Sequence, residues 1–241
     1  MIWVTFVGEG RSGHTVLSGA LGSRLDARIS EEQKYISKWR RGYNWNQIMQ
    51  HLNQSGVGHA RRDQGWPNLQ RYDELLLVGD KCGWDAVNEY RKRGAPATIL
   101  KDFEEFMDMP VKTLVTVRHP LDNITAWVDS PKYKRIFPDE ALRFRRMIRR
   151  YKQFHEAAWD ILQYADYQVV PHEALCAHPN MALQEISDFI GLPKNKEWRR
   201  EAGKRIHTKP HLRRDDIKWP TEYIDRVDAF IAESPLLEYY R

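Results

Sequence analysis

The chain has 241 residues, a net charge of +5 and a hydrophobic fraction of 41%, values typical of a soluble α/β protein, and we expect one domain over residues 1–241. Its apolar runs are too short to cross a membrane, and the N-terminus enters a strand without a basic leader or cleavage site, so we expect a cytoplasmic protein without a membrane partner. Two cysteines, Cys82 and Cys176, are too few for a disulfide framework or a zinc site.

Four short apolar runs with little alternation predict strands buried on both faces, at residues 2–7, 75–78, 113–117 and 167–170. Helical periodicity predicts helices at residues 97–107, 120–128, 139–164 and 181–190. Because strands alternate with helices, the sequence predicts an α/β fold with a central parallel sheet flanked by helices and ligands at the carboxyl ends of its strands. Residues 40–71 predict short helix and loop, either an acceptor-side lid or an ordinary insertion.

A glycine-rich turn follows the first strand at residues 8–15, Gly-Glu-Gly-Arg-Ser-Gly-His-Thr. Its spacing fits the phosphate-binding pattern G-x-x-x-x-G-K-[ST], with His14 at the position of the lysine. Glycines let the backbone approach an anion closely, and the free N–H groups of the following helix point toward it. The turn therefore predicts a phosphate site without the usual ATP or GTP chemistry.

A second candidate site element begins at Arg118, which directly follows the predicted strand at residues 113–117. Pro120 suits the first turn of the next helix. At the carboxyl end of a central strand, a guanidinium can hold a phosphate through two parallel hydrogen bonds. The alternative is an arginine that pairs with a carboxylate of the helix.

Together these elements resemble the sulfotransferases that use 3′-phosphoadenylyl sulfate (PAPS) as donor. Residues 10–15 look like that family's 5′-phosphosulfate loop, and Arg118-His119-Pro120 looks like its 3′-phosphate element. Residues 78–81 are similar to the G-D-K-T-P segment of many bacterial members, and residues 172–175 and 189–193 resemble a later stretch of the family. The resemblance runs from residue 1 to about residue 193 and implies a P-loop NTPase-like sulfotransferase fold.

The resemblance implies PAPS as donor co-substrate, adenosine 3′,5′-bisphosphate (PAP) as product, and no metal. The residues it implies for donor binding are Gly10, Arg11, Ser12, Gly13, His14, Thr15, Arg118 and Thr125, with Arg213 and Arg214 from a basic C-terminal segment whose alternative role is a solvated loop. Arg11 and Lys81 would stabilise charge on the bridging and leaving oxygens during transfer. The serine expected eight residues after Arg118 is Ala126, for which Thr125 or Ser130 would compensate.

For the general base, the resemblance to tyrosylprotein sulfotransferases implies Glu32, because residues 28–33 occupy the place of that group's G-E-E-T segment. A carboxylate shielded in a cleft can accept the proton of an acceptor hydroxyl. The alternative is that Glu31 and Glu32 begin a solvated helix after Ser30.

Other candidates for the base are open at this point. Asp80 is one, as a base or as a residue that orients Lys81. Three histidines are further candidates because cytosolic sulfotransferases generally use histidine: His51, His59 and His119.

We therefore expect a sulfotransferase that moves the sulfuryl group of PAPS to a hydroxyl or amine of a small-molecule or carbohydrate acceptor by in-line displacement. The first alternative is a P-loop kinase or NTPase with Asp80 as magnesium ligand, although the loop lacks the lysine that reaches the β- and γ-phosphates. The second is a non-catalytic polyanion or RNA binder, suggested by the basic excess and nine tryptophans. No RNA-binding motif is present, so we expect no nucleic-acid partner.

Five arginines between residues 143 and 150 predict a solvated helix face.

Overall fold

The computed structural model describes residues 1–55 and 75–241. In this part of the chain, one sheet contains β1 (Ile2–Val7), β2 (Ala27–Ser30), β3 (Leu77–Asp80), β4 (Val111–Val117) and β5 (Asp166–Pro171). The strand order is β2-β3-β1-β4-β5, and every neighbouring pair is parallel. The predicted parallel sheet is confirmed.

One strand, β2, was not predicted because its sequence has no apolar run. Arg28 stands in its middle, and its guanidinium donates to the carbonyl oxygens of Asn53 and Ser55. A charged side chain in a strand is accommodated when its donors are paired in this way. Here the partners come from a helix end that is distant in sequence, so local pattern does not indicate the strand.

The helices of the described residues are α1 (His14–Gly22), α2 (Tyr35–Arg40), α3 (Trp45–Gln54), α4 (Asp85–Arg93), α5 (Ile99–Met107), α6 (Pro120–Val128), α7 (Pro131–Ile136), α8 (Glu140–Leu162), α9 (His172–Ala177), α10 (Pro179–Ile190), α11 (Lys196–Gly203) and α12 (Thr221–Glu233), with 3₁₀ helices at Arg213–Asp216 and Pro235–Tyr240. Within these residues, no helix combines the length and apolarity that a bilayer span requires.

Local sequence signals explain why all four predicted helices are confirmed, as α5, α6, α8 and α10. Pro120 occupies the first turn of α6, and Asp139 caps α8 by accepting a hydrogen bond from the N–H of Leu142 at 2.5 Å. Gly191 ends α10 in the left-handed conformation, with φ of +84°. In the segment of residues 40–71, the structure describes α3, and residues 56–71 lie outside the described residues.

Helices cover both faces of the sheet and form two hydrophobic cores. Trp3 and Val7 of β1 belong to one core, and Val4 and Phe6 belong to the other, as expected from the alternation of side chains along a strand. The first core includes residues of α2, α5, α8 and α12, and the second includes residues of α1, α10 and α11. Each large side chain fully buried in this way stabilises the fold by roughly 1.5–3 kcal/mol.

The strand order brings the predicted site segments to one edge of the sheet. The chain passes from β1 to β2 on one side, and from β3 to β4 on the other side of β1. Ligands of such sheets bind in the crevice at the carboxyl ends where the strand order reverses. The turn at residues 8–13, Lys81 and Arg118 follow β1, β3 and β4 respectively, so they lie at the same edge of the sheet.

Gly79 is the point where β3 approaches β1 most closely. It is paired with Val4 across the two strands, and a Cβ at this position would lie 2.1 Å from the backbone oxygen of Val4. The backbone of a central strand cannot move away without breaking its hydrogen bonds. Glycine is therefore required at this position.

We predict that Gly79→Ala lowers the unfolding free energy by about 1–3 kcal/mol because the added methyl group overpacks the sheet. The melting temperature should fall by about 2–4 °C for each kcal/mol, measured by calorimetry. Gly10→Ala is the matched control, because its added Cβ would meet its nearest neighbour, Trp127 Nε1, at an ordinary 3.6 Å. Equal melting temperatures for the two variants would contradict this account.

Candidate functional site

Residues 8–13 form the turn between β1 and α1. Arg11 and Gly13 have left-handed backbone conformations, with φ of +75° and +99°. A Cβ at position 13 would lie 2.5 Å from His172 Nδ1, so both the backbone and the neighbouring side chain require glycine. No side chain of the described residues caps the N-terminus of α1. The positive end of this helix is therefore available to an anion.

The two strands beside β1 hold this turn in place. The N–H of Gly8 donates to the carbonyl oxygen of Gly83, beyond β3, at 2.8 Å. On the other side, the hydroxyl groups of Ser12 and Thr116 lie 2.8 Å apart, and both residues are buried. The structure thus places the Ser12 hydroxyl, which the sequence assigns to the donor, in a bond that joins the turn to β4.

An open cleft of about 890 Å³ extends from the turn to the C-terminal segment at residues 206–213. Six of the residues predicted to bind the donor line it: Arg11, Gly13, His14, Thr15, Arg118 and Arg213. The other four, Gly10, Ser12, Thr125 and Arg214, lie outside its walls.

Two further residues line the cleft, Ser130 and His172. Ser130 is the more distant of the two substitutes considered for the missing serine at Ala126. His172 has no role in the sequence analysis, although it begins α9 directly after β5. Its position at the carboxyl end of a parallel strand is the signal that indicates it.

Arg118 carries a buried positive charge at the end of β4. Its guanidinium donates to the carbonyl oxygen of Arg11 at 3.4 Å and to that of His211, and its residue is only 7% exposed. Its Nε is buried without a hydrogen-bond partner in the described part of the chain, and no ion pair with a described carboxylate is formed. The alternative that Arg118 pairs with a helix carboxylate is wrong, and its charge remains available to an anion in the cleft.

Arg214 and Thr125 fasten the C-terminal segment to α6. Arg214 forms a two-pronged ion pair with the fully buried Asp122, with distances of 3.2 Å from Nε and 2.7 Å from Nη2. The hydroxyl of Thr125 accepts a hydrogen bond from Trp219 Nε1 at 2.9 Å. These two candidates for donor binding thus have internal partners, and they position the neighbouring Arg213 at the cleft.

Lys81 and Glu32 stand beside the first residues of α1. Lys81 Nζ lies 3.4 Å from Thr15 Oγ1 and 3.5 Å from Glu32 Oε1. Lys81 is buried, whereas the side chain of Glu32 is 53% exposed. Lys81, which follows β3, thus reaches the start of α1 beside the glycine-rich turn, and that turn has no lysine of its own.

The acidic pair Glu31-Glu32 forms a turn, so the alternative that it begins a helix is wrong; α2 begins at Tyr35. The buried Asp80 carboxylate holds this turn by accepting hydrogen bonds from the N–H groups of Gln33 at 3.0 Å and Lys34 at 2.7 Å. It also accepts one from the Ser30 hydroxyl at 3.0 Å. Burial raises the pKa of Asp80 to about 6. These bonds hold the turn that carries Glu32.

Among the described residues, none of the candidate histidines has an arrangement that indicates a base. Burial, with the nearby charge of Lys81, lowers the pKa of His14 to about 4, so this imidazole is neutral at pH 7. His119 caps α6 by accepting from the N–H of Leu121, and His51 packs on Tyr43 with ring centroids 5.7 Å apart. His59 lies outside the described residues. Among the residues of 1–55 and 75–241, no cluster of His, Cys, Asp or Glu suits a metal ion.

Comparisons with known proteins bear on the fold. No protein-family model matches the chain, and no curated protein is significantly similar to it in sequence. Solved structures do match over almost the whole chain. A sulfotransferase domain from the curacin biosynthetic pathway is 15% identical, with 96% of this chain and 97% of that chain covered and a TM-score of 0.54.

Two further structures are similar to the same extent. The sulfotransferase domain of the Synechococcus PCC 7002 olefin synthase is 16% identical, with 95% and 94% covered and a TM-score of 0.52. Mouse sulfotransferase SULT7A1 complexed with PAP is 11% identical, with 97% and 84% covered and a TM-score of 0.51. At this identity the likeness shows the fold. The chain therefore has the sulfotransferase fold, as predicted.

We predict a pH dependence that comes from Asp80. Burial raises its pKa from 3.8 to about 6, so between these values the folded protein keeps a proton that the unfolded chain has lost. The contribution to stability is fully present below a pH of about 4 and is lost as the pH rises through about 6. Relative to Asp80→Asn, the wild-type unfolding free energy should fall over this range by up to about 1.4 kcal/mol per pH unit.

Urea unfolding of both proteins at several pH values across this range measures the difference. Two curves that run parallel over the whole range would show that Asp80 does not titrate as described.

Proposed function

We propose that the protein is a sulfotransferase that transfers the sulfuryl group of PAPS to a hydroxyl or amine of a small-molecule or carbohydrate acceptor and releases PAP. One observation carries the proposal: a single cleft is lined by an uncapped helix N-terminus and by Arg118, a buried arginine without a carboxylate partner in the described chain. A donor with phosphates at two positions of one ribose needs two such anion sites. PAP in the matched structure of mouse SULT7A1 supports the choice of donor.

We assign the 5′-phosphosulfate to the turn at residues 8–15. The backbone N–H groups at the start of α1 and the hydroxyl of Thr15 would bind it. Arg11 and Lys81 would stabilise the negative charge that develops on the leaving group. PAPS supplies an activated sulfuryl group, and the protein supplies fixed cations and dipoles around it.

We assign the 3′-phosphate to Arg118, Arg213 and Ser130. All three line the cleft, and the Nε of Arg118 is a buried donor without a partner in the described residues. Ser130 takes the role first assigned to Thr125, because the Thr125 hydroxyl is bonded to Trp219. A phosphate bound here would form a charge-assisted hydrogen bond with the Arg118 guanidinium.

Glu32 is our proposed base, held beside Lys81 by the turn that Asp80 organises. It would take the proton of the acceptor hydroxyl as the acceptor oxygen forms its bond to sulfur and the bond from sulfur to the leaving phosphate oxygen breaks. Lys81, whose Nζ lies 3.5 Å from the Glu32 carboxylate, would stabilise the negative charge that develops on the leaving phosphate oxygen.

The alternatives receive less support. A phosphate-loop kinase needs a cation at the loop position of His14, which is neutral at pH 7 because burial lowers its pKa to about 4. Its candidate magnesium ligand, Asp80, is 5% exposed and accepts three hydrogen bonds. A non-catalytic polyanion binder would not need this paired arrangement of a base and a lysine beside a donor cleft.

We predict that Arg118→Ala weakens PAP binding by about 10- to 100-fold, because a charge-assisted hydrogen bond contributes about 1.5–3 kcal/mol. Titration calorimetry measures the affinity. Arg200→Ala, which removes an exposed arginine on α11, is the control and should bind PAP like the wild type. An Arg118→Ala variant that folds and binds PAP with unchanged affinity would remove Arg118 from the site.

We predict that Glu32→Gln lowers the turnover number by roughly 10²–10⁴-fold, as expected for loss of a general base. PAP affinity should stay within about twofold, because Glu32 is assigned to the acceptor and not to the donor. Glu31→Gln, the preceding residue, is the matched control and should keep most of the activity. If both variants lose activity equally, the role belongs to the turn and not to Glu32.

A further inference from the structure

A second groove is lined by residues of α7, of α8 and of the connection between them. It has a volume of about 760 Å³. We call it the arginine groove, because its described lining includes Arg145, Arg146, Arg149 and Arg150. Lys132 adds a fifth cation, and no Asp or Glu is among the described residues that line it.

Three of the four arginines of this groove lack a carboxylate partner in the described part of the chain. Every exposed position of α8 between residues 145 and 150 is an arginine. Arg145, Arg146 and Arg149 form no ion pair with a described residue, whereas Arg150 pairs with Glu9. The predicted solvated face is thus confirmed for these four arginines and wrong for Arg143, which is buried. Several like charges kept close together without carboxylates raise the free energy of the folded chain unless an anion joins them.

Internal hydrogen bonds fix the walls of the arginine groove. Arg143 donates to the carbonyl oxygens of Phe137 and Pro138 at 2.8 and 2.7 Å, which fixes the connection between α7 and α8. Arg150 donates to the hydroxyl of Tyr133 at 2.9 Å. The aromatic rings of Tyr133 and Phe137 line the groove, so it offers flat apolar surface as well as guanidinium groups.

The arginine groove lies next to the turn at residues 8–13. Arg150 lies 3.5 Å from the carboxylate of Glu9 and stacks 4.7 Å above the ring of Trp127. Trp127 in turn adjoins Gly10, and Pro131, at the start of α7, lines the donor cleft. The groove therefore adjoins both the turn at residues 8–13 and the wall of the donor cleft.

We propose that the arginine groove binds the acceptor, and that this acceptor is an anionic oligosaccharide bearing carboxylate or sulfate groups; the inference rests on the proposed sulfuryl transfer. Guanidinium groups bind both anions through paired hydrogen bonds. An acidic sugar chain carries such anions together with a hydroxyl on every unit, which is the group that accepts sulfuryl. The lining on α8 runs from Leu142 to Gln153, about 17 Å at 1.5 Å per residue, a length that suits a few sugar units.

The test is a calorimetric titration of the full chain with a heparin hexasaccharide, with and without saturating PAP. Maltohexaose is the uncharged counterpart, and hexaglutamate and hexauridylate are anions of other classes. We expect the heparin hexasaccharide to bind about tenfold or more tightly than each of the other three. Equal or tighter binding of hexaglutamate or hexauridylate would overturn the assignment to a sugar, and no binding of the heparin hexasaccharide would overturn the groove as a site.

The variant Arg145→Gln/Arg149→Gln should weaken hexasaccharide binding by about tenfold or more while its PAP affinity stays that of the wild type. Arg200→Gln/Lys204→Gln removes the same net charge from exposed positions of α11 and should leave both affinities unchanged. Equal weakening by both double variants would reduce the effect to net charge and overturn the site. Failure of the proposed function is seen separately, as absence of PAP binding to the wild type.

Discussion

The site depends on how firmly the turn after β1 is held between the ends of β3 and β4. Gly8 is bonded to Gly83 on one side, and Ser12 to Thr116 on the other. Any Cβ at Gly8 would lie 2.3 Å from Thr116 Oγ1, so only glycine lets the turn pack this closely against β4. Because three parallel strands fix these partners, α1 begins at a defined place, and the cations that follow β3 and β4 stand beside it without further adjustment.

The turn at residues 31–34 is maintained although it is unfavourable by itself. Glu32 and Lys34 adopt left-handed backbone conformations with φ of +53° and +59°, which costs of order 1–3 kcal/mol for each non-glycine residue. The side chain of Asp80 is buried against this turn. Three hydrogen bonds to its carboxyl group offset the strain, since bonds to charged groups contribute about 1.5–3 kcal/mol each. Strain compensated in this way is typical of functional sites.

The arginines of this chain differ in the groups that balance their positive charge. Arg24 and Arg214 are paired with Asp26 and Asp122, and the second pair joins the C-terminal segment to α6. Arg118 is buried against carbonyl oxygens, which orient a guanidinium but do not cancel its charge. The exposed arginines of α8 are mostly without carboxylates among the described residues. Positive charge is thus concentrated beside the cleft and the groove, where an anionic ligand gains most from it.

The sequence by itself determined the parallel sheet, the four main helices and the glycine-rich turn after β1, because periodicity, caps and glycine spacing act within a few residues. Only the tertiary structure decided which polar side chains face the cleft. Ser12, Thr125 and Arg214 have partners about 90 to 105 residues away, whereas Ser130 and His172 are left at its walls. A hydroxyl or guanidinium binds whichever partner the packed chain brings within 3 Å or so, and no local pattern encodes a contact across that distance.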